Sequence, residues 1–372
     1  MKKIFLGITL GFSILNSLTY EHYQIYKDTH TMKIGGANVG LGGSGRAIFY
    51  NPAGLSTMKS SDGAEIKIVN LASSINQNVL DLTENGMNLQ DINEENEKNL
   101  ETIKLAREHL GKNNHFEVSN FTYISKGIKN FNFSLGALAN VNIDFKTHRG
   151  FGTDGIVDIQ GLILGGAVFG LSYNWSNALS FGAGVKYIEY GSIQENFTIG
   201  KIIAHKNDLE DYLTNEALKD GTSVVYDLGG LYRFKNGLQI GFSSLNLGGV
   251  GEKTHLTYIP ATHNIGVGYV KRFNTKFLKE LRAGFDYIDL TDKYIESDAM
   301  KKIKTGIEVS IIDNTFMTIK SGVGLYQGYY TAGLSLRLAI IELAFTTYAE
   351  ELGAYSGQDK DRRYLVNLTI GW

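Results

Sequence analysis

The sequence predicts an all-β fold: a 14-stranded antiparallel transmembrane β-barrel, with an N-terminal plug in the lumen and helical extracellular loops. Three observations predict it. Long stretches alternate apolar and polar residues, the connections between them are alternately short and long, and aromatic residues recur at one end of the stretches.

The first 19 residues read as a secretory signal. Lys2 and Lys3 form a basic start, "IFLGITLGFSIL" is an apolar stretch too short for an anchor, and Ser17 and Thr19 are small residues ahead of a cleavage point. The mature chain would begin near Tyr20. Residues 20–62 hold a glycine cluster, "GGANVGLGGSG", and then "RAIFYNPAGLSTM" with one of only two prolines in the chain. Glycine allows backbone to pass close to other backbone, and proline fixes a bend. The expectation is a plug folded back into the barrel. Asn51, Pro52 and Ala53 would lie at its narrowest point, and Gly42, Gly43 and Gly45 would pass close to the wall. Left in water, Ile48, Phe49 and Leu55 would each forfeit about 1.5–3 kcal/mol of burial.

Residues 63–372 read as the barrel. In "FNFSLGALANVNIDF", Phe131, Phe133, Leu135, Ala137, Ala139, Val141, Ile143 and Phe145 share one face. Asn132, Ser134, Gly136, Asn140, Asn142 and Asp144 share the other, with Leu138 the exception. This run exceeds the ~5–6 residues usual in globular strands and satisfies the ~9–11 that a tilted membrane-crossing strand needs. Similar runs lie at 64–75, 116–125, 157–175, 179–187, 223–234, 238–247, 263–273, 280–290, 302–311, 316–326, 329–338, 340–349 and 363–372. An even strand count lets the two ends of the sheet meet antiparallel. The connections near 126–130, 176–178, 235–237, 274–279, 312–315 and 339 are short and would be periplasmic. Those near 76–115, 146–155, 191–222, 248–262, 291–301 and 350–362 are long and would be external, with a tight turn at Gln327-Gly328 as the departure. Trp175, Phe234, Phe273 and Trp372 each end a downward strand, as an interfacial girdle would.

The inward phase mixes both signs of charge: Asp158, Lys186, Asp227, Arg233, Arg282, Asp286, Lys304, Glu308, Arg337, Glu342 and Arg363. A selective pore shows rings of one sign; this mixture predicts salt bridges inside the barrel. Leu162, Leu164 and Val168 are apolar members of the same phase. Two external loops, "NEENEKNLETIKLAREHLG" and "NDLEDYLTNEALKDG", carry helical amphipathic patterns and would cap the mouth.

A net charge of −2 gives no reason to expect nucleic acid as a partner, and the absence of cysteine excludes disulfides and thiolate metal sites. No histidine pair stands at helical metal-ligand spacing, no G-x-S-x-G occurs, and "GLGGSG" lacks a following Lys-Ser/Thr. No enzyme site, metal site or cofactor is expected.

"GLGGSGRAIFYNPAGLSTM" resembles the N-terminal plug of the FadL-type superfamily of outer-membrane barrels, whose Asn-Pro-Ala triplet matches Asn51, Pro52 and Ala53. The C-terminal stretch, ending in "RRYLVNLTIGW", looks closer to the PorV-like and TraF-like conjugal transfer branch. The resemblance implies a lumenal plug and an outer-membrane location, with membrane lipid around the barrel. It also implies passive uptake of a hydrophobic small molecule such as a fatty-acid-like compound. The alternative it leaves open is a non-transport accessory whose partners are secretion or conjugation proteins. Transporters of this group release ligand sideways at a kinked third strand, whereas here the run from Phe131 to Phe145 alternates without interruption. No ligand-binding residue follows from the resemblance.

Overall fold

The computed structural model describes residues 21–58, 64–90, 94, 101, 104, 108–148, 156–198, 212, 217–293 and 298–372. The signal segment and most of the two amphipathic loop stretches lie outside the described residues.

Fourteen strands close into one antiparallel barrel in which each pairs with its sequence neighbours and the last pairs with the first. They are β1 (Ala64–Asn76), β2 (Asn113–Ile128), β3 (Phe131–His148), β4 (Ile156–Asn174), β5 (Leu179–Thr198), β6 (Leu218–Arg233), β7 (Leu238–Leu247), β8 (Thr262–Arg272), β9 (Glu280–Tyr287), β10 (Ile303–Asp313), β11 (Met317–Tyr326), β12 (Tyr329–Leu338), β13 (Ile341–Glu351) and β14 (Lys360–Gly371). Closure leaves no free edge, which in a bilayer is the condition for satisfying every backbone N–H and C=O. The outer face is apolar all round, with Phe131, Leu135, Phe169, Val224, Phe285, Leu334 and Val366 among its exposed side chains. On β3 every predicted lumenal polar residue is buried, and the partner strands run alongside it without a register break from Phe131 to His148.

Period-2 alternation identified every strand but not every end. β5 runs to Thr198 and β6 starts at Leu218, so much of the expected 191–222 loop is strand. β2 likewise begins at Asn113, inside the expected 76–115 loop, where residues Gln77–Gln90 form a helix. The reason is physical. Past the bilayer the outer face no longer needs to be greasy, so Glu189 and Glu195 break the apolar phase while the hydrogen-bonded ladder continues. β2 to β6 are 16 to 20 residues long, well beyond the ~9–11 that span a bilayer. They form a tall side, and the 8-to-11-residue strands β7 to β12 form a low one.

The short turns are tight, with left-handed backbone at Lys129 and Ala339. Arg337 staples one short-turn end by donating to the carbonyls of Asn314, Thr315 and Ala339. At the other end of the barrel Gln327 and Gly328 both take positive φ, as a two-residue hairpin turn requires. Trp175, Phe234 and Trp372 are exposed at the short-turn end, joined by Phe277 and Phe316 from the turns themselves. The wall is irregular between β1 and β2, where the register shifts between Lys67 and Leu71. There Asn120 Oδ1 accepts from the Asn70 N–H and Thr122 Oγ1 donates to the Ile68 carbonyl, so side chains close the gap.

Candidate functional site: the lumen

Residues 21–58 lie inside the barrel. Nearly all are buried, yet they hydrogen-bond to strands on every side of a closed sheet, which only an interior position permits. Thr346 on β13 donates to the Thr29 carbonyl at 3.0 Å, and Thr331 on β12 accepts from the Gly35 N–H at 3.0 Å. Lys33 pairs with Glu308 on β10 at 2.7 Å. Asp286 on β9 accepts from the N–H groups of Asn38 and Val39 at 2.6 and 2.8 Å. Arg282 donates to the Gly42 carbonyl at 2.6 Å, and Arg233 on β6 to the Ser56 carbonyl at 3.1 Å. The mixed lumenal charges, expected to bridge one another, therefore largely bind this segment. Lys186 with Asp227 at 2.7 Å and Arg363 with Asp144 at 3.4 Å are wall-to-wall pairs of the kind that the sequence led one to expect. The alternation shows which charges face inward but not what they face, because their partners lie hundreds of positions away.

Asn51 begins a short 3₁₀ turn, Pro52–Thr57, with Pro52 at its first position. Its Oδ1 accepts from the Ala53 N–H at 3.0 Å, and its Nδ2 donates to the carbonyls of Val39 at 2.8 Å and Gly230 at 3.1 Å. The wall makes room for this turn. A Cβ on Gly229 would sit 2.0 Å from Asn51 Oδ1, and one on Gly182 would sit 2.2 Å from the Ala53 nitrogen. Of the three candidate glycines, Gly45 abuts Ser125 and Tyr123 on β2, and Gly43 abuts the Arg282 guanidinium. Gly42, at φ 62°, instead packs on Gly54 within the segment itself.

Leu138, the exception on β3, is buried with Leu162, Leu164, Val168, Ile188 and Val225 in an apolar strip on the inner wall of the tall side. Ile48, Phe49, Leu55 and Tyr26 of the segment cover it. Phe49 meets Phe121 edge-on at 4.8 Å and Tyr26 at 4.9 Å. Towards the long-loop end this apolar mass opens into a cavity of about 70 Å³ bordered by Tyr26, Phe49, Tyr50 and Ile259, with Lys186 and Lys304 at its margin. That volume is below the roughly 150 Å³ of a dry cavity that accepts one benzene ring.

Glu21 anchors the outer end of the segment. It forms ion pairs with Arg363 at 3.0 Å and Lys27 at 2.5 Å. Burial opposes its charge, but these two cations outweigh it and hold the carboxyl well below the usual range. Glu21, His115 and Asp144 converge here, each with a potential ligand atom within 4.8 Å of the others. His115 and Asp144 are neighbours by strand register, and Glu21 arrives with the inserted segment. Sequence spacing carries no signal for such a group.

No protein-family model matches the chain, and a search of curated protein sequences finds no match. The fold does match solved structures. The toluene transporter TbuX of Ralstonia pickettii aligns with 95% of this chain and 99% of its own, at 12% identity and a TM-score of 0.55. The toluene transporter TodX of Pseudomonas putida aligns with 94% of this chain and 97% of its own, at 13% identity and a TM-score of 0.53. At this identity the likeness is one of fold, over essentially the whole chain.

Proposed function

We propose that the protein is an outer-membrane channel for passive uptake of hydrophobic small molecules, with residues 20–62 as its plug. The observation that carries this reading is the apolar strip formed by Leu138, Leu162, Leu164 and Val168 on the inner wall. A barrel built to pass water and ions has no use for greasy lumenal residues, and Tyr26 and Phe49, which cluster with this strip, border the cavity beside it. Uptake of toluene, named for the two similar transporters, belongs to the same class of chemistry. On this reading Ile48, Phe49 and Leu55 occupy the ligand's path, and passage requires them to shift. Burial of each large apolar side chain is worth about 1.5–3 kcal/mol, so an apolar ligand that replaces those contacts offsets much of the cost of the shift.

The test is selective permeability. Cells that produce the protein should take up the hydrophobic fluorophore N-phenyl-1-naphthylamine faster than controls, while a polar β-lactam of similar size enters at an unchanged rate. Equal acceleration of both would indicate an ordinary aqueous pore, and acceleration of neither would indicate a barrel without a transport role.

A further inference from the structure

We propose that the outer wall at the turn between β2 and β3 carries a binding site for an anionic glycerophospholipid, with the headgroup phosphate at Lys126, Lys129 and Asn130 and an acyl chain against Phe131 and Tyr173. The proposal rests on the barrel's place in a membrane and not on what the channel transports.

The first observation is a division of charge between the two ends of the barrel. At the short-turn end Lys126, Lys129, Lys235, Lys271, Arg272 and Lys276 are exposed, and no acidic side chain is exposed there among the described residues. Glu280 is buried and pairs with Arg272 at 3.0 Å. At the long-loop end exposed lysines stand beside exposed acids, as in Lys219-Asp220, Glu252-Lys253, Asp292-Lys293 and Asp359-Lys360. Charges of both signs cancel locally at that end, whereas the short-turn end presents cations alone and so draws anions.

The second observation concerns one position. Lys126 lies on the outer wall, in register with Phe133 on β3 and, through it, with Leu171 on β4. Its neighbour Ser125 faces the lumen and is buried, while Ile124 and Ile128, on the same face as Lys126, are exposed. A lysine among lipid-facing apolar side chains is costly unless its ammonium reaches headgroup level, which its flexible stem allows.

The third observation is shape. Lys129, Asn130, Phe131 and Tyr173 line a groove of about 510 Å³. It is polar at the turn and apolar along the wall. The Phe131 and Tyr173 rings pack 4.9 Å apart, and Trp175 meets Tyr173 edge-on at 6.4 Å. Aromatic rings of this kind settle where headgroups give way to acyl chains. Cation, amide and rings therefore follow one another in the order of phosphate and chain in a phospholipid. An acidic protein at the turn tips would meet the lysines but leave the wall rings unused. Short turns face the periplasm in outer-membrane barrels, and the periplasmic leaflet supplies glycerophospholipids.

The experiment uses the full-length protein folded into phosphatidylcholine vesicles that contain a minor fraction of phosphatidylglycerol brominated on its acyl chains. Trp175 and Trp372 are the two tryptophans of the chain, and both are exposed at the short-turn end. Quenching of their fluorescence therefore reports brominated lipid held at that end. In the wild type, brominated phosphatidylglycerol should quench at least twofold more than brominated phosphatidylcholine at the same fraction. High salt should shrink the difference, because it screens exposed charges. Lys126→Gln and Lys129→Gln combined should bring the ratio close to one. Lys253→Gln and Lys293→Gln combined, at the other end, should keep the wild-type ratio. If the first double variant does not give a heat-modifiable barrel, the salt dependence of the wild type decides. Equal quenching by the two lipids in the wild type would assign the cationic end to an acidic soluble partner and overturn the site. An unchanged ratio in the Lys126 and Lys129 variant, or a ratio indifferent to salt, would overturn it as well.

Discussion

Gly229 and Gly182 decide how near the Asn51–Ala53 turn comes to the wall, since any side chain at either position would overlap it. Gly229→Leu should therefore expel the turn while leaving the strand ladder intact. The expected outcome in planar bilayers is a rise in conductance over the wild type, with normal heat-modifiable migration. A variant as quiet as the wild type would mean that the turn does not close the lumen. On the opposite face, Ala137 is exposed on the outer wall. Ala137→Arg should cost about 2–4 kcal/mol if it lies near the bilayer midplane, whereas Ala137→Leu should be nearly neutral. Urea-dependent folding into lipid vesicles measures both, and an equal response would contradict the assigned outer face. Asn140, from the inner phase of the same strand, should tolerate Arg poorly as well. It is buried and donates to Glu117, so the lumen has no room there.

Among elements, the contrast between turns and loops is the clearest. The hairpin at Lys129 turns within two residues between β2 and β3, while the connection between β13 and β14 exposes Gly357 and Gln358 at its tip. An epitope tag inserted after Gly357 should bind antibody on intact cells, and one inserted after Lys129 should bind only after the outer membrane is opened. The opposite pattern would invert the barrel. Period 2 was readable in every strand because a lipid-facing residue must be apolar wherever the bilayer touches it. It faded at the outer ends of β5 and β6, where that demand ceases and only backbone pairing persists. The helix Gln77–Gln90 left no comparable trace: its sequence, "QNVLDLTENGMNLQ", is largely polar and lies outside the apolar band.

At the scale of the whole molecule, barrel and inserted segment are separable in their hydrogen bonding. All fourteen strands pair with one another without any contribution from residues 21–58. Deleting residues 35–55 should therefore leave a barrel that assembles and shifts on gels, yet conducts ions where the intact protein conducts little. Identical conductance of the two forms would make the segment a periplasmic linker. The deletion also exposes the Leu138–Leu164 strip to water, so the shortened barrel should bind a solvatochromic hydrophobic dye that the intact one excludes.

What the sequence by itself determined is the barrel: strand number, antiparallel order, outer face and the alternation of short turns with long loops. Each follows from a local rule, because lipid on one side and lumen on the other impose period 2 residue by residue. The glycine cluster and Asn51-Pro52-Ala53 likewise marked a segment built for close approach. Only the tertiary structure decided what the inward residues meet. Leu138 looked like an error in the pattern until Ile48 and Phe49 were placed near it. Lys33 with Glu308, Asn38 with Asp286, and Glu21 with Arg363 join positions far apart in the chain. Such pairings obey no period. They arise when a closed wall brings fourteen inner faces around one threaded segment, and short-range patterning cannot encode that.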